Sequence, residues 1–108
     1  MNLGIIGNGF VGNAIAHAFI PYMTVRIFDK DPEKSLDKIE HVVNHSDVVF
    51  VCVPTPMRSN GIIDLSIVES VFETIETCRE NDSKSIFVLK STVVPGTTRK
   101  LKQKHPNI

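Results

Sequence analysis

Apolar and polar residues fall in blocks along this chain. Leu3–Ile6, Val25–Phe28, Val48–Val53 and Ile86–Leu89 are short, nearly continuous apolar runs, the pattern of strands covered on both faces of a parallel sheet. Between them the apolar positions recur at helical spacing. Val11, Ala14, Ile15, Ala18 and Phe19 mark the buried stripe of a first helix, which Pro21 ends. Asp31-Pro32 reads as the start of a second, with Asp as cap and Pro in the first turn, and Leu36, Ile39, Val42 and Val43 along its apolar side. A third, capped by Asp64 or Ser66 and closed by Asn81-Asp82, carries Ile67, Val68, Val71, Phe72 and Ile75 inward. A basic helix follows Thr98. Strand and helix alternate throughout, which predicts an α/β fold with a doubly wound, mainly parallel sheet and helices on both faces. No strand is visible between Asp29 and Ser46, so a strand there is expected to be short or absent. There is no internal repeat and no low-complexity segment.

The loops after these strands carry the candidate chemistry. Gly7-Asn8-Gly9-Phe10-Val11-Gly12 follows the first strand and opens the first helix. In that position Gly7 allows a sharp turn, Gly9 lets the backbone approach a pyrophosphate, and Gly12 lets helix and strand pack closely. The free N–H groups and positive dipole end of the helix would then receive the phosphates. Asp29 closes the second apolar run, where a carboxylate accepts from the adenosine ribose hydroxyls. The motif predicts dinucleotide binding, and Asp29 favours NAD, because a carboxylate repels the 2′-phosphate of NADP. Lys30 dissents, since its ammonium could reach such a phosphate, although a solvated turn residue is the simpler reading. Ligands of doubly wound sheets sit beyond the carboxyl ends of the strands, so Gly7–Gly12, Pro54–Pro56 and Ser91–Gly96 are expected to line one crevice. Pro54 and Pro56 stiffen its middle loop, where Val53 and Pro54 are expected to contact the cofactor. Thr55 and Thr92 offer uncharged hydroxyls that suit a nicotinamide carboxamide or ribose, and local turn capping is the competing use of each.

Composition narrows the picture without redirecting it. The 108 residues suit one domain with a single core. Twelve Lys and Arg balance twelve Asp and Glu, so no nucleic-acid or acidic-membrane partner is indicated. Arg99, Lys100, Lys102 and Lys104 read as the solvated face of the last helix. No apolar run approaches a membrane span, and the N-terminus enters a strand directly, without a basic leader. Cys52 and Cys78 are too far apart in sequence for a metal-ligand pair and too few for a disulfide framework. Cys52 is expected to be an inert core thiol within its strand, and Cys78 a partly exposed structural one. The histidines show no metal-ligating spacing, and a reducing, cytoplasmic setting is expected.

Four ordered motifs carry a family resemblance: Gly-Asn-Gly-Phe-Val-Gly at 7–12, Val-Pro-Thr-Pro at 53–56, Asp-Leu-Ser at 64–66, and Lys-Ser-Thr-Val at 90–93 followed by Pro-Gly-Thr-Thr at 95–98. Together they resemble the N-terminal, Rossmann-like NAD-binding domain of the UDP-glucose/GDP-mannose 6-dehydrogenases, from Met1 to about Lys104. The pattern departs from the family at Asn13, at Pro21-Tyr22 and in a short connection before the third strand. The resemblance implies an NAD-dependent oxidoreductase that converts the C6 hydroxyl of a nucleotide sugar to a carboxylate. By it Gly7, Gly9 and Gly12 hold the pyrophosphate and Asp29 the ribose, with Thr55 near the cofactor and Thr92 near the nicotinamide and the reacting centre. The family's catalytic cysteine belongs to a sugar-binding domain outside residues 1–108, so this chain is expected to bind NAD(H) without completing turnover. The sheet is expected to be incomplete at its C-terminal edge, leaving an apolar strand open to self-association. A stand-alone NAD(H)-sensing module and the first half of a hydroxyacid-type dehydrogenase are the competing functions. Lys90–Thr98 speaks against the latter.

Overall fold

The computed structural model describes all residues, Met1–Ile108. Four parallel strands form one sheet: β1 (Asn2–Ile6), β2 (Thr24–Phe28), β3 (Val48–Val51) and β4 (Ile86–Leu89), in the order β2-β1-β3-β4. The chain moves to one side from β1 to β2, then crosses back to β3 and on to β4. That reversal between β1 and β3 is a topological switch point. Helices α1 (Phe10–Phe19), α2 (Ile39–His45), α3 (Ser66–Cys78) and α4 (Thr97–Lys104) fill the connections.

Period-two alternation of the strands divides the core in two. Ile5 and Ile27 face α1 and meet Ala16, with Ile15 and Val25 beside them. Ile6, Val49 and Val51 face the other way, into a larger cluster with Val42 and Val43 of α2, Val68, Phe72 and Ile75 of α3, and Leu101 of α4. Ser85 fastens this second layer: its buried hydroxyl lies 2.6 Å from Val43 O and 2.5 Å from Ser46 O. One helix therefore covers one face and three cover the other.

Three sequence expectations change. The buried side of α1 is Gly12 and Ala16, with Ile15 half-buried. Val11, Ala14, Ala18 and Phe19 lie exposed. Nearly all of this helix is apolar, so hydrophobicity alone does not choose a face; the smallest side chains win because they let the helix seat closely on the sheet. The second helix starts at Ile39 and not at Asp31-Pro32. Residues 31–38 instead fold against the edge of β2, where the Ile27 N–H donates to Asp37 Oδ2 at 2.9 Å and Ile27 O accepts from Leu36 N and Asp37 N at 3.1 and 2.9 Å. An edge strand's unpaired backbone groups outweigh a local helix signal, and Leu36 is left 75% exposed. Third, β3 ends at Val51, which frees Cys52 and Val53 for the loop above it. At the start of α3 neither Asp64 nor Ser66 is the cap: Leu65 takes that place without a side-chain hydrogen bond, and Asp64 turns the chain into the helix by accepting from Ser66 N through Oδ1 at 2.9 Å.

Candidate cofactor-binding site

The loops leaving the carboxyl ends of the strands enclose a cleft of about 580 Å³. Gly7, Gly9, Phe10 and Val11 form its floor at the start of α1. Val53, Pro54 and Thr55 come in after β3, and Lys90, Ser91 and Thr92 after β4. Asp29, Lys30, Asp31 and Lys34 close it on the β2 side. The three loops expected to share a crevice do so, and Ser91 ties two of them together by donating to Val53 O at 2.6 Å.

Each glycine of the first loop has its own geometry. Gly7 sits at φ +99°, and a Cβ there would stand 2.6 Å from Cys52 O, so both its conformation and its contact with β3 exclude a side chain. A Cβ on Gly12 would stand 1.9 Å from Gly7 O; this glycine is what brings the helix down onto the loop. A Cβ on Gly9 would meet nothing within 4 Å. The open space lies over Gly9, where the backbone can be approached from outside.

The helix start supplies donors to that space. Asn8 N donates to Asp29 Oδ2 at 2.7 Å and Asn13 N to Gly9 O at 2.9 Å. The N–H groups of Gly9, Phe10, Val11 and Gly12 between them have no acceptor, and α1 has neither a side-chain cap nor an acidic residue in its first turn. A run of free donors at the positive end of a helix dipole is what an anionic phosphate pair requires. The residues present fit a dinucleotide.

Asp29 holds the other side. Besides accepting from Asn8 N, it accepts from Asp31 N through Oδ1 at 2.9 Å, which fixes the carboxylate at the rim with further lone pairs open to ribose hydroxyls. Asn8 and Gly12 do not line the cleft themselves: Asn8 braces the loop by donating from Nδ2 to Lys34 O at 2.8 Å, and Gly12 packs beneath it. Asn13, one of the departures from the family pattern, points Nδ2 at Asn8 Oδ1 at 3.3 Å.

Sequence reasoning missed several lining residues. Lys34 falls within the helix expected to start at Asp31-Pro32, although a lysine close behind Asp29 is a visible signal once that segment is a loop. Lys90 was counted only as part of a motif. Cys52 lines the cleft half-buried, which corrects its assignment to the core interior. Burial pushes its thiol above the ordinary cysteine value, and the Lys90 ammonium opposes that push. Cys78 lies at the end of α3 with Sγ 3.7 Å from Ile75 O, outside the cleft, and its pKa is also raised, chiefly by burial.

Fold and cleft together define a doubly wound nucleotide-binding domain with its crevice at the switch point. The chain belongs to the UDP-glucose/GDP-mannose dehydrogenase family, whose NAD-binding domain matches residues 34–107. The cofactor of this domain is NAD. Since that match begins beyond Asp29, the glycine loop rests on its geometry and on the longer similarities. GDP-mannose 6-dehydrogenase of Pseudomonas aeruginosa is 45% identical over 48% of this chain and 12% of its own length. UDP-glucose 6-dehydrogenase AglM of Haloferax volcanii is 30% identical over 91% of this chain and 30% of its own. A solved ternary complex of GDP-mannose dehydrogenase from Pseudomonas aeruginosa superposes with a TM-score of 0.82 at 27% identity, covering 94% of this chain and 30% of that one. The chain thus spans less than a third of the length of these proteins. No helix is long and apolar enough to cross a membrane.

Proposed function

We propose that this chain is the cofactor-holding part of a nucleotide-sugar 6-dehydrogenase, an enzyme that oxidises a sugar C6 hydroxyl to a carboxylate with NAD. The observation that carries the reading is the run of N–H groups without an acceptor from Gly9 to Gly12 at the start of α1, of which Gly9, Phe10 and Val11 line the cleft across from Asp29. In this reading those donors hold the pyrophosphate, and Asp29, flanked by Lys30 and Lys34, holds the adenosine ribose. Val53, Pro54, Thr55 and Thr92 border the nicotinamide half, with Thr92, exposed on the β4 loop, nearest the reacting centre. Bound NAD supplies the hydride acceptor; the residues here bind and orient it.

Residues 1–108 alone are not expected to complete turnover. Covalent chemistry at the sugar needs an activated nucleophile, and neither thiol is one: both have raised pKa values, and Cys78 lies outside the cleft. Calorimetric titration with NADH, paired with NADPH, tests the site. Saturable binding that favours NADH is expected, while no NADH absorbance accumulates from NAD with UDP-glucose or GDP-mannose. Equal or tighter binding of NADPH would remove Asp29 from its role, and binding of neither would remove the site.

A further inference from the structure

The strand register aligns one more feature. Ile6 pairs with Phe28 and with Val51, and Val51 pairs with Leu89. The ladder continues one step: Gly7 N donates to Phe28 O, Cys52 N to Ile6 O and Lys90 N to Val51 O, at 2.8, 2.8 and 2.9 Å. Asp29, Gly7, Cys52 and Lys90 therefore form a single row across the carboxyl edge of the sheet, with side-chain positions on the same face, and all four line the cleft. A carboxylate stands at one end and an ammonium at the other, about 14 Å away by three strand spacings. Lys90 takes no part in the lysine and arginine ion pairs of this chain, which are Arg58–Asp64 and Lys104–Glu73. It is an uncompensated cation, close enough to act on the Cys52 thiol.

We propose that Lys90 biases the cofactor site toward the reduced form, by placing a positive charge beside the nicotinamide half of the row. This rests on the cofactor reading above, in which adenosine lies at Asp29 and the pyrophosphate over Gly9. The nicotinamide ring is cationic when oxidised and neutral when reduced. The two forms that the site would hold therefore differ by one positive charge at the ring, while their phosphates are the same. An unpaired ammonium near the ring opposes the oxidised state and is indifferent to the reduced ring, so it favours acceptance of the hydride. A lysine that instead met the pyrophosphate would strengthen both forms alike, since both carry the same phosphates.

The ratio of dissociation constants for NAD and NADH, measured by calorimetry on the whole chain, separates these cases. The unaltered chain is expected to prefer NADH, and Lys90→Gln to shrink that preference by about 3- to 10-fold, mainly by tightening NAD. Lys90→Arg should keep the preference. Lys84→Gln, which removes the same charge at the opposite end of β4, should not change it. Unfolding midpoints of the three variants confirm that each is folded. An unchanged ratio in Lys90→Gln, whether both affinities stay or both fall together, overturns the inference while the cofactor site stands. Binding of neither form by the unaltered chain removes the cofactor reading and this inference with it.

Discussion

The two edges of the sheet are finished in opposite ways. At β2, residues 31–38 fold back on the strand and pair its outward backbone groups through Asp37, Leu36 and Ser35, with Asp29 N donating to Ser35 Oγ at 3.1 Å. At β4 the outward N–H and C=O groups of Phe87 and Leu89 have no such cover, and Ile86 is 64% exposed. Beside that edge, Phe72, Phe87, Leu101 and the buried His105 border an apolar cavity of about 320 Å³. The closed edge is held by polar ties and carries the charged groups of the cleft other than Lys90. The open edge is attached through the large apolar cluster behind it. Closing an edge with a polar loop and building a binding rim are here the same act, because Asp31 and Lys34 belong to both.

That contrast can be broken from either side. The largest effect is expected where burial does the holding: Ile75→Ala, in a fully buried position of the larger core cluster, should cost about 2–5 kcal/mol in urea unfolding. NADH affinity of the folded fraction should be little changed, and a large loss of affinity would mean that the two halves are not separate. Next comes Asp37→Ala, which leaves Ile27 N–H without its acceptor and should cost about 1–3 kcal/mol. This variant should also weaken NADH binding by loosening Asp31 and Lys34. Asp37→Asn keeps an acceptor oxygen and should recover most of both. Stability loss with unchanged affinity would show that the rim does not depend on the edge closure. The smallest change in stability, within about 0.5 kcal/mol, is expected for Ile86→Lys. Its readout is mass: if the bare β4 edge drives self-association, light scattering at high concentration should show the unaltered chain larger than a monomer and the variant reduced. A monomeric unaltered chain would remove that expectation.

The legible parts of this molecule share a property. The four strands and the glycine loop are local patterns, readable because a buried parallel strand must be apolar and a sharp turn into a helix must be glycine. The meeting of three loops at one crevice was readable too, since it follows from strand polarity. The second helix misled because Asp31-Pro32 is a genuine helix-start signal, overruled by hydrogen-bonding groups on a strand that the segment had yet to meet. The buried stripe of α1 misled because its apolar residues run nearly all round, so composition could not say that Gly12 and Ala16 would face the sheet.

The sequence by itself determined the alternation of strands and helices, the glycine turn into α1, and the acid that follows β2. These depend on backbone freedom and side-chain type at neighbouring positions. Only the tertiary structure decided that Lys34 joins the rim, that Cys52 leaves the core for the cleft, and that Asp29, Gly7, Cys52 and Lys90 stand in one row. The first depends on hydrogen bonds between residues 35–37 and the edge of β2, and the row depends on strand register, which is set by pairing between residues far apart in the chain.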